Sequence, residues 1–137
     1  MPKLRPRGKL PRPTDAELEI LRVLWRFGPS TVRRVHEEIT SGRKNTIFNT
    51  TLKLMNIMYE KGLLKRQDIR RPFVYQSVLA EERMQQRLVA DLLDRAFGGA
   101  AHRLVAALTA SKISKDEMAK IRRLLSQHGN EPDERAE

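Results

Sequence analysis

The sequence predicts a mainly α-helical chain in two parts, with three helices and a β-hairpin followed by three further helices. Six segments repeat apolar residues every three or four positions, and glycine or proline separates most of them. One short stretch near the middle alternates apolar and polar residues instead, as strands do. A chain of 137 residues accommodates this pattern as one ordinary domain or two small ones.

The first two helices have recognisable starts and stops. Thr14 and Glu17 have the spacing of a capping box, and Gly28-Pro29 ends the helix that follows. A second, short amphipathic helix is predicted to begin at Ser30 and to end before Ser41. The positions expected to face the core are Leu18, Leu21, Leu24 and Trp25 in the first helix, and Val32, Val35 and Ile39 in the second.

The third helix is predicted to run from Asn49, a favourable N-cap residue, to Gly62, a natural C-cap. Its two faces differ in composition, so one face is expected to pack and the other to face solvent. The packing face carries Thr51, Leu54, Met55, Met58 and Tyr59, and the opposite face carries Thr50, Lys53, Asn56 and Ile57, with Leu52 near the boundary.

After Gly62 the periodicity shortens to that of strands. Residues 63–68 and 73–77 flank Ile69-Arg70-Arg71-Pro72, which predicts a β-hairpin with an arginine-bearing tip. Three helices followed by a hairpin in residues 14–77 describe a winged helix-turn-helix domain, with the hairpin as the wing.

Residues 78–128 are predicted to form three amphipathic helices, the last opened by the capping box Ser114–Glu117. Helices this short bury too little to be stable alone, so they are expected to pair two copies of the chain. The alternative is that they pack back on the first domain. The apolar positions expected at the dimer contact are Met84, Leu88, Leu92, Phe97, Leu104, Leu108, Ile121 and Leu124.

The basic residues are concentrated in the first part of the chain. Residues 1–13 carry five basic side chains and no acidic one, and residues 14–77 carry 12 basic and 7 acidic ones. Residues 78–137 carry ten of each. This distribution is expected if the first part binds a polyanion. The first 13 residues, with four prolines, are predicted to be a disordered basic arm, and residues 129–137 a disordered tail.

Several classes of protein are excluded by what the sequence lacks. It has no cysteine, which removes disulfides, cysteine zinc sites and thiol nucleophiles. Its three histidines are isolated, and it has no GxSxG, P-loop or GxGxxG motif, so we expect no metal, no cofactor and no enzymatic activity. With no secretory signal and no apolar run long enough to span a membrane, a cytoplasmic location is expected.

With these elements in place, residues from Thr14 to about Gln127 resemble the BlaI/MecI penicillinase-repressor family, segment by segment and in order. The resemblance implies that the third helix enters the major groove of a palindromic DNA operator, that the wing touches the backbone and that the C-terminal helices hold a homodimer. The segments that carry it are TDAELEILRVLW, STVRRVHEEI, FNTTLKLMNIMYEKGLLKR, RPFVYQ and LVADLLDRAFGGAAHRLVAAL.

The resemblance also assigns positions at the DNA. Lysine and asparagine hydrogen-bond purine edges, threonine and leucine meet the thymine methyl group, and a helix N-terminus favours phosphate. Cations at a wing tip neutralise a phosphate or read a narrow minor groove. The expected contacts are Asn49, Thr50, Leu52, Lys53 and Asn56 on the third helix, Thr31 and Arg33 on the second, and Arg70 and Arg71 on the wing.

The function implied is that of a bacterial, sequence-specific repressor of β-lactam resistance or related stress genes, with a membrane metalloprotease sensor as an upstream partner. Two departures from the family pattern stand out: Ala107-Leu108 occupies the place of the family's Asn-Phe cleavage bond, and the cysteine cluster of the copper-responsive branch is absent. From the residues alone, an RNA-binding or a protein-binding winged-helix adaptor is the alternative.

Overall fold

The computed structural model describes residues 11–41 and 47–129. It confirms the predicted fold class, a mainly helical chain with a hairpin between two sets of three helices. Most of the predicted arm and nearly all of the predicted tail lie outside the described residues. The elements are α1 (Asp15–Phe27), α2 (Val32–Thr40), α3 (Phe48–Lys61), β1 (Leu64–Gln67), β2 (Val74–Ser77), α4 (Glu81–Phe97), α5 (Ala101–Ala110) and α6 (Lys115–Gly129).

The chain divides into two compact units, Met1–Val89 and Ala90–Glu137, and the division falls within α4. In the first unit, α1, α2, α3 and the hairpin pack around one core. The buried apolar side chains are Ile20, Leu21, Leu24, Val32, Val35, Met55, Met58, Leu63, Leu64, Tyr75 and Met84.

The inward face of α1 is rotated from the predicted one. Ile20 is fully buried although it was not among the predicted core positions, whereas Leu18 and Trp25 are half-buried at the edge of the core. The Trp25 indole explains its place at the edge, because its Nε1 donates a hydrogen bond to the carbonyl oxygen of Leu79 at 3.1 Å. A buried indole needs such a partner.

Two helix starts test the capping signals in the sequence. The capping box of α1 is confirmed: the Glu17 backbone N–H donates to Thr14 Oγ1 at 3.2 Å, and the Thr14 backbone N–H donates to Glu17 Oε1 at 3.0 Å. The predicted start of α2 at Ser30 is wrong, because Thr31 is the N-cap and accepts from the Arg34 N–H at 3.2 Å. Ser30 instead pairs with Tyr75 by two backbone hydrogen bonds, of 3.0 and 2.8 Å, which join the entry of α2 to the hairpin.

The third helix begins earlier than predicted. Its N-cap is Ile47, whose side chain has no polar atom to cap with, and Asn49 lies in the first turn rather than at the cap. The Asn49 side chain is therefore exposed and not used as a cap. The C-cap prediction is confirmed, because Gly62 adopts φ +90°, a left-handed conformation that glycine accommodates without strain.

The predicted hairpin is confirmed as well. Strands β1 and β2 pair antiparallel with Leu64 opposite Ser77 and Gln67 opposite Val74. Leu64 and Tyr75 point into the core, so the hairpin is fixed to the helices at its base while residues 68–72 extend into solvent.

The second unit contains the end of α4 together with α5 and α6. None of its described residues, 90–129, is buried. Gly98 and Gly99, which end α4, both have positive φ angles, as the predicted stop requires. Within the part of the chain that the structure describes, no helix is both long enough and apolar enough to cross a membrane.

Candidate nucleic-acid interface

The outer face of α3 carries an exposed polar stripe. Asn49, Thr50 and Lys53 are exposed, and Lys53 lies one helical turn after the other two, so the three side chains share one side of the helix. Ile57 continues the same stripe with 38% of its surface exposed. The sequence pattern predicts Ile57 on the outer face, although it is not among the predicted contacts. An exposed isoleucine on such a stripe offers an apolar contact for a thymine methyl group.

The other two predicted positions on α3 are half-buried. Leu52 packs against the core, and Asn56 accepts a hydrogen bond at Oδ1 from the Tyr75 hydroxyl at 3.0 Å. Tyr75 is itself buried in β2, so the hairpin fixes the orientation of the Asn56 amide. With Oδ1 engaged, the Asn56 amide nitrogen is the group most available to donate to a base edge.

The N-terminal turn of α2 lies beside α3. Thr31 caps the helix, and the Arg33 guanidinium stacks over the Phe48 ring with its central carbon 4.7 Å from the ring centroid. His36 packs edge-on to the same ring, with centroids 5.5 Å apart, and its Nδ1 lies 3.0 Å from the buried Thr51 Oγ1. His36 thus joins α2 to α3, and it has a structural partner where the sequence suggested none.

A groove of about 550 Å³ runs between α2, α3 and β2. Its lining includes Thr31 and Arg33 from the start of α2, Leu52 from α3 and Pro72, which follows Arg71 of the wing tip. The groove therefore brings predicted contacts from the second and third helices next to the base of the wing tip.

The wing tip carries the two predicted arginines, both exposed. Arg71 stacks over Phe73 with its guanidinium carbon 5.3 Å from the ring centroid. The tip ends the hairpin opposite its buried base, so Arg70 and Arg71 are available to a phosphate or to a groove.

Arg66 is the cation that holds the wing to α3. Its Nε donates to Asp68 Oδ1 at 2.6 Å, and its guanidinium lies over the rings of Tyr59 and Phe73, at 4.0 and 4.8 Å. The hydrogen bond to Asp68 is the main reason that the pKa of Arg66 is raised above its usual value. Arg66 is not among the predicted site residues. The signal that could have found it is the aromatic pair Phe73 and Tyr75 in the second strand of the hairpin, since Tyr75 is opposite Arg66.

A buried ion pair fixes the far end of α3. Lys61 Nζ lies 2.6 Å from Glu17 Oε2, and the Glu17 side chain is only 2% exposed. The same carboxylate closes the capping box of α1 through its other oxygen. One acidic side chain thus joins the start of α1 to the end of α3, a role that the capping motif alone did not indicate.

The predicted dimer contacts are distributed unevenly over the two units. Met84 is 3% exposed and belongs to the core of the first unit, and Leu88 packs against that core. Because its side chain is already covered, Met84 is not available to a partner. The remaining positions are half-buried (Phe97, Leu104 and Ile121) or exposed (Leu92, Leu108 and Leu124). Val89 in the first unit and Val105 and Leu125 in the second are also exposed.

The described residues contain no group of three or more histidine, aspartate or glutamate side chains arranged to hold a metal ion. The interface consists of hydrogen-bonding, cationic and apolar side chains, which are the groups that contact phosphates, base edges and thymine methyl groups.

Comparison with known proteins agrees with this geometry. Residues 13–127 match the profile of a family described as penicillinase repressor. The transcriptional regulator BlaI of Mycobacterium tuberculosis H37Rv is 28% identical over 130 residues, which cover 91% of this chain and 94% of the relative. A penicillinase repressor of Bacillus licheniformis is 26% identical over 124 residues, covering 89% of this chain and 95% of the relative.

Proposed function

Because the chain belongs to the penicillinase repressor family, a family of DNA-binding transcriptional repressors, we propose that it acts as a homodimer on a palindromic operator. The bound dimer overlaps the promoter and so blocks transcription. By family likeness the regulated genes are those of β-lactam resistance or a related stress response, the dimer acts in the bacterial cytoplasm, and a membrane metalloprotease sensor is the upstream partner.

The observation that carries the proposal is the groove shared by α2, α3 and the wing. It brings the start of α2, through Thr31 and Arg33, and the base of the wing tip, through Pro72 and Phe73, to one groove beside α3. This arrangement suits a helix inserted in the major groove, because backbone contacts from neighbouring elements fix its register while its own side chains reach the bases.

Within this proposal the roles divide by position. Lys53 and Asn49 donate to purine edges, and Thr50 and Leu52 meet thymine methyl groups. Thr31 and Arg33 face one phosphate strand, since the start of α2 offers free N–H groups. Arg70 and Arg71 extend to the next phosphates or to the minor groove from the exposed wing tip.

The second unit supplies the two-fold symmetry. Its helices leave Leu92, Leu108 and Leu124 exposed, and none of its described residues is buried. Two copies that cover this surface would place their two α3 helices, the proposed reading helices, at half-sites about 34–36 Å apart, which is one helical turn of DNA. A dimer also doubles the formal net charge of +10 that each chain brings to the phosphates.

The direct test is selection of bound genomic fragments followed by sequencing, and then titration of the recovered duplex at several salt concentrations. We expect an inverted repeat and a steep fall in affinity as salt rises, because binding releases condensed counterions. Recovery of RNA rather than DNA, or no enrichment at all, would favour an RNA-binding or protein-binding adaptor.

Two variants distinguish side chains that contact base edges from side chains that contact the DNA backbone. Lys53→Ala should reduce discrimination between the recovered duplex and random DNA by about 1–3 kcal/mol, whereas Arg71→Ala should weaken both about equally. Equal effects of the two substitutions on discrimination would contradict the assigned roles.

A further inference from the structure

Ile69 at the wing tip is exposed over 91% of its surface, the largest fraction among the large apolar side chains that the structure describes as exposed. It lies between Asp68 and Arg70, and the hairpin carries it away from the core. The hairpin tip thus presents a large apolar side chain that the rest of the described chain does not cover.

The turn around Ile69 is held by one side chain. The Gln67 Oε1 accepts a hydrogen bond from the Ile69 backbone N–H at 3.2 Å, and Gln67 Nε2 donates to the Arg70 carbonyl oxygen at 3.4 Å. Gln67 therefore fixes the backbone on both sides of Ile69. A side chain presented on a turn that is already ordered loses less conformational entropy when it is inserted into a partner.

The charges around Ile69 indicate the chemistry of that partner. Asp68 is the only acidic residue between Lys61 and Glu81, and its carboxylate is neutralised by Arg66 at 2.6 Å. Arg70 and Arg71 follow Ile69 and are exposed. The tip thus presents one apolar side chain followed by two exposed cations, with the preceding carboxylate already paired, which fits a surface with apolar walls and anionic edges.

The minor groove of duplex DNA has these properties. Its walls are sugar carbons, its edges are phosphates, and apolar side chains inserted there between base pairs unstack a step and bend the duplex. The major groove is wider and is assigned to α3 in the proposed complex. The wing packs against α3 through β1, so it would meet the DNA beside the half-site that α3 reads.

We propose that Ile69 is an apolar wedge that enters the minor groove of the operator and opens a base step there, with Arg70 and Arg71 on the adjacent phosphates. This inference rests on the proposed function and deepens it. It assigns a second determinant of specificity, read through the deformability of the DNA rather than through base edges. Flexible pyrimidine–purine steps such as TA and CA are the easiest to open and should be preferred at this position.

The test compares duplexes selected from a randomised pool by the full-length wild-type protein and by Ile69→Ser, Ile69→Leu and Val78→Ser. Val78 is a matched control, because it is a branched residue that is 42% exposed at the other end of β2. Wild type, Ile69→Leu and Val78→Ser should enrich flexible steps at a fixed distance from the inverted repeat. Ile69→Ser should keep the repeat, lose the flanking enrichment and bind the wild-type duplex about three- to tenfold more weakly.

A second readout follows the DNA itself. Energy transfer between dyes at the two ends of the selected duplex should report a bend with the wild-type protein and a straighter duplex with Ile69→Ser. Unchanged thermal unfolding of Ile69→Ser would show that the exposed site does not affect the fold.

The outcomes distinguish the two levels of the proposal. If Ile69→Ser selects the same flanks, binds equally well and bends the DNA to the same extent, the wedge is excluded and the repressor function stands. If the wild-type protein enriches no sequence at all, the proposed function fails and the wedge fails with it.

Discussion

The helices of the first unit close around a core, whereas the helices of the second unit bury none of their described residues. Both sets are amphipathic and have comparable lengths. The difference lies in what each set packs against. In the first unit α1, α2, α3 and the hairpin cover one another's apolar faces, so that unit is complete within one chain.

The second unit has apolar side chains without a cover. Leu124 is 65% exposed and Leu125 57% exposed, both in α6. Large apolar surfaces of this kind mark association sites in soluble proteins. We infer that the first unit obtains its stability from its own sequence and that the second obtains it from a partner copy, so substitutions in the two units should respond differently to dilution.

The largest contrast is expected between Met55→Ala and Leu108→Ala. Met55 is fully buried, and its truncation should cost about 2–5 kcal/mol of unfolding free energy, because it removes buried contacts and leaves a cavity. Leu108 is 42% exposed, so its loss should cost little within one chain but should weaken the dimer. Denaturant unfolding at several protein concentrations measures both effects.

The diagnostic feature is the dependence on concentration. The deficit of Met55→Ala should be similar in dilute and concentrated samples, whereas that of Leu108→Ala should grow on dilution. A Leu108→Ala deficit that does not change with concentration would mean that the second unit is covered within its own chain.

Removing the second unit should have the next largest effect. A chain ending after Val89 keeps Met84 and the Leu79 carbonyl that accepts from Trp25, so it should fold as a monomer. Its affinity for the selected duplex should fall about 100-fold or more, because the two half-sites then bind independently. Sedimentation and band shifts measure the two properties.

A shorter chain ending after Ser77 provides the control. It removes Met84 from the core and the carbonyl partner of the Trp25 indole, so it should be less stable than the longer fragment. Equal stabilities of the two fragments would show that the first turns of α4 contribute nothing to the core.

Ion pairs provide a smaller contrast between the units. Glu17 is 2% exposed and would be left without its cation by Lys61→Met, at a cost of about 1–3 kcal/mol. Arg95 in the second unit pairs with Asp91 at 3.2 Å but is 65% exposed, so Arg95→Ala should cost less than about 0.5 kcal/mol. Thermal melts of both variants, with Glu17→Gln/Lys61→Met as the compensated control, test this difference. A Lys61→Met variant as stable as the wild type would show that the buried carboxylate does not need its partner.

The sequence predicted what is determined locally. The capping box at Thr14, the stop at Gly62 and the hairpin around Arg70 follow from side chains and their near neighbours, and the structure confirms them. The burial of Ile20 and Met84 depends on which other element covers them, and that information is not contained in the periodicity of one helix. At the candidate site, the outer stripe of α3 could be read from its pattern, but the bond from Tyr75 to Asn56 joins residues 19 apart and needed the fold.

Within the first unit, that bond gives a smaller predicted effect than the Glu17–Lys61 ion pair, and it tests whether this unit also orients the proposed DNA-contacting face of α3. Tyr75→Phe removes the hydroxyl that donates to Asn56 Oδ1 at 3.0 Å and leaves the ring in the core. Because Asn56 is only half-buried and can turn to water, the loss of unfolding free energy should be about 0.5–1.5 kcal/mol. Under the proposed assignment of Asn56 to a base edge, discrimination at that base pair should fall, since the amide is no longer held by the Tyr75 hydroxyl. Asn56→Ala should abolish the same discrimination, and a Tyr75→Phe variant that discriminates as the wild type does would show that Asn56 needs no support from the wing.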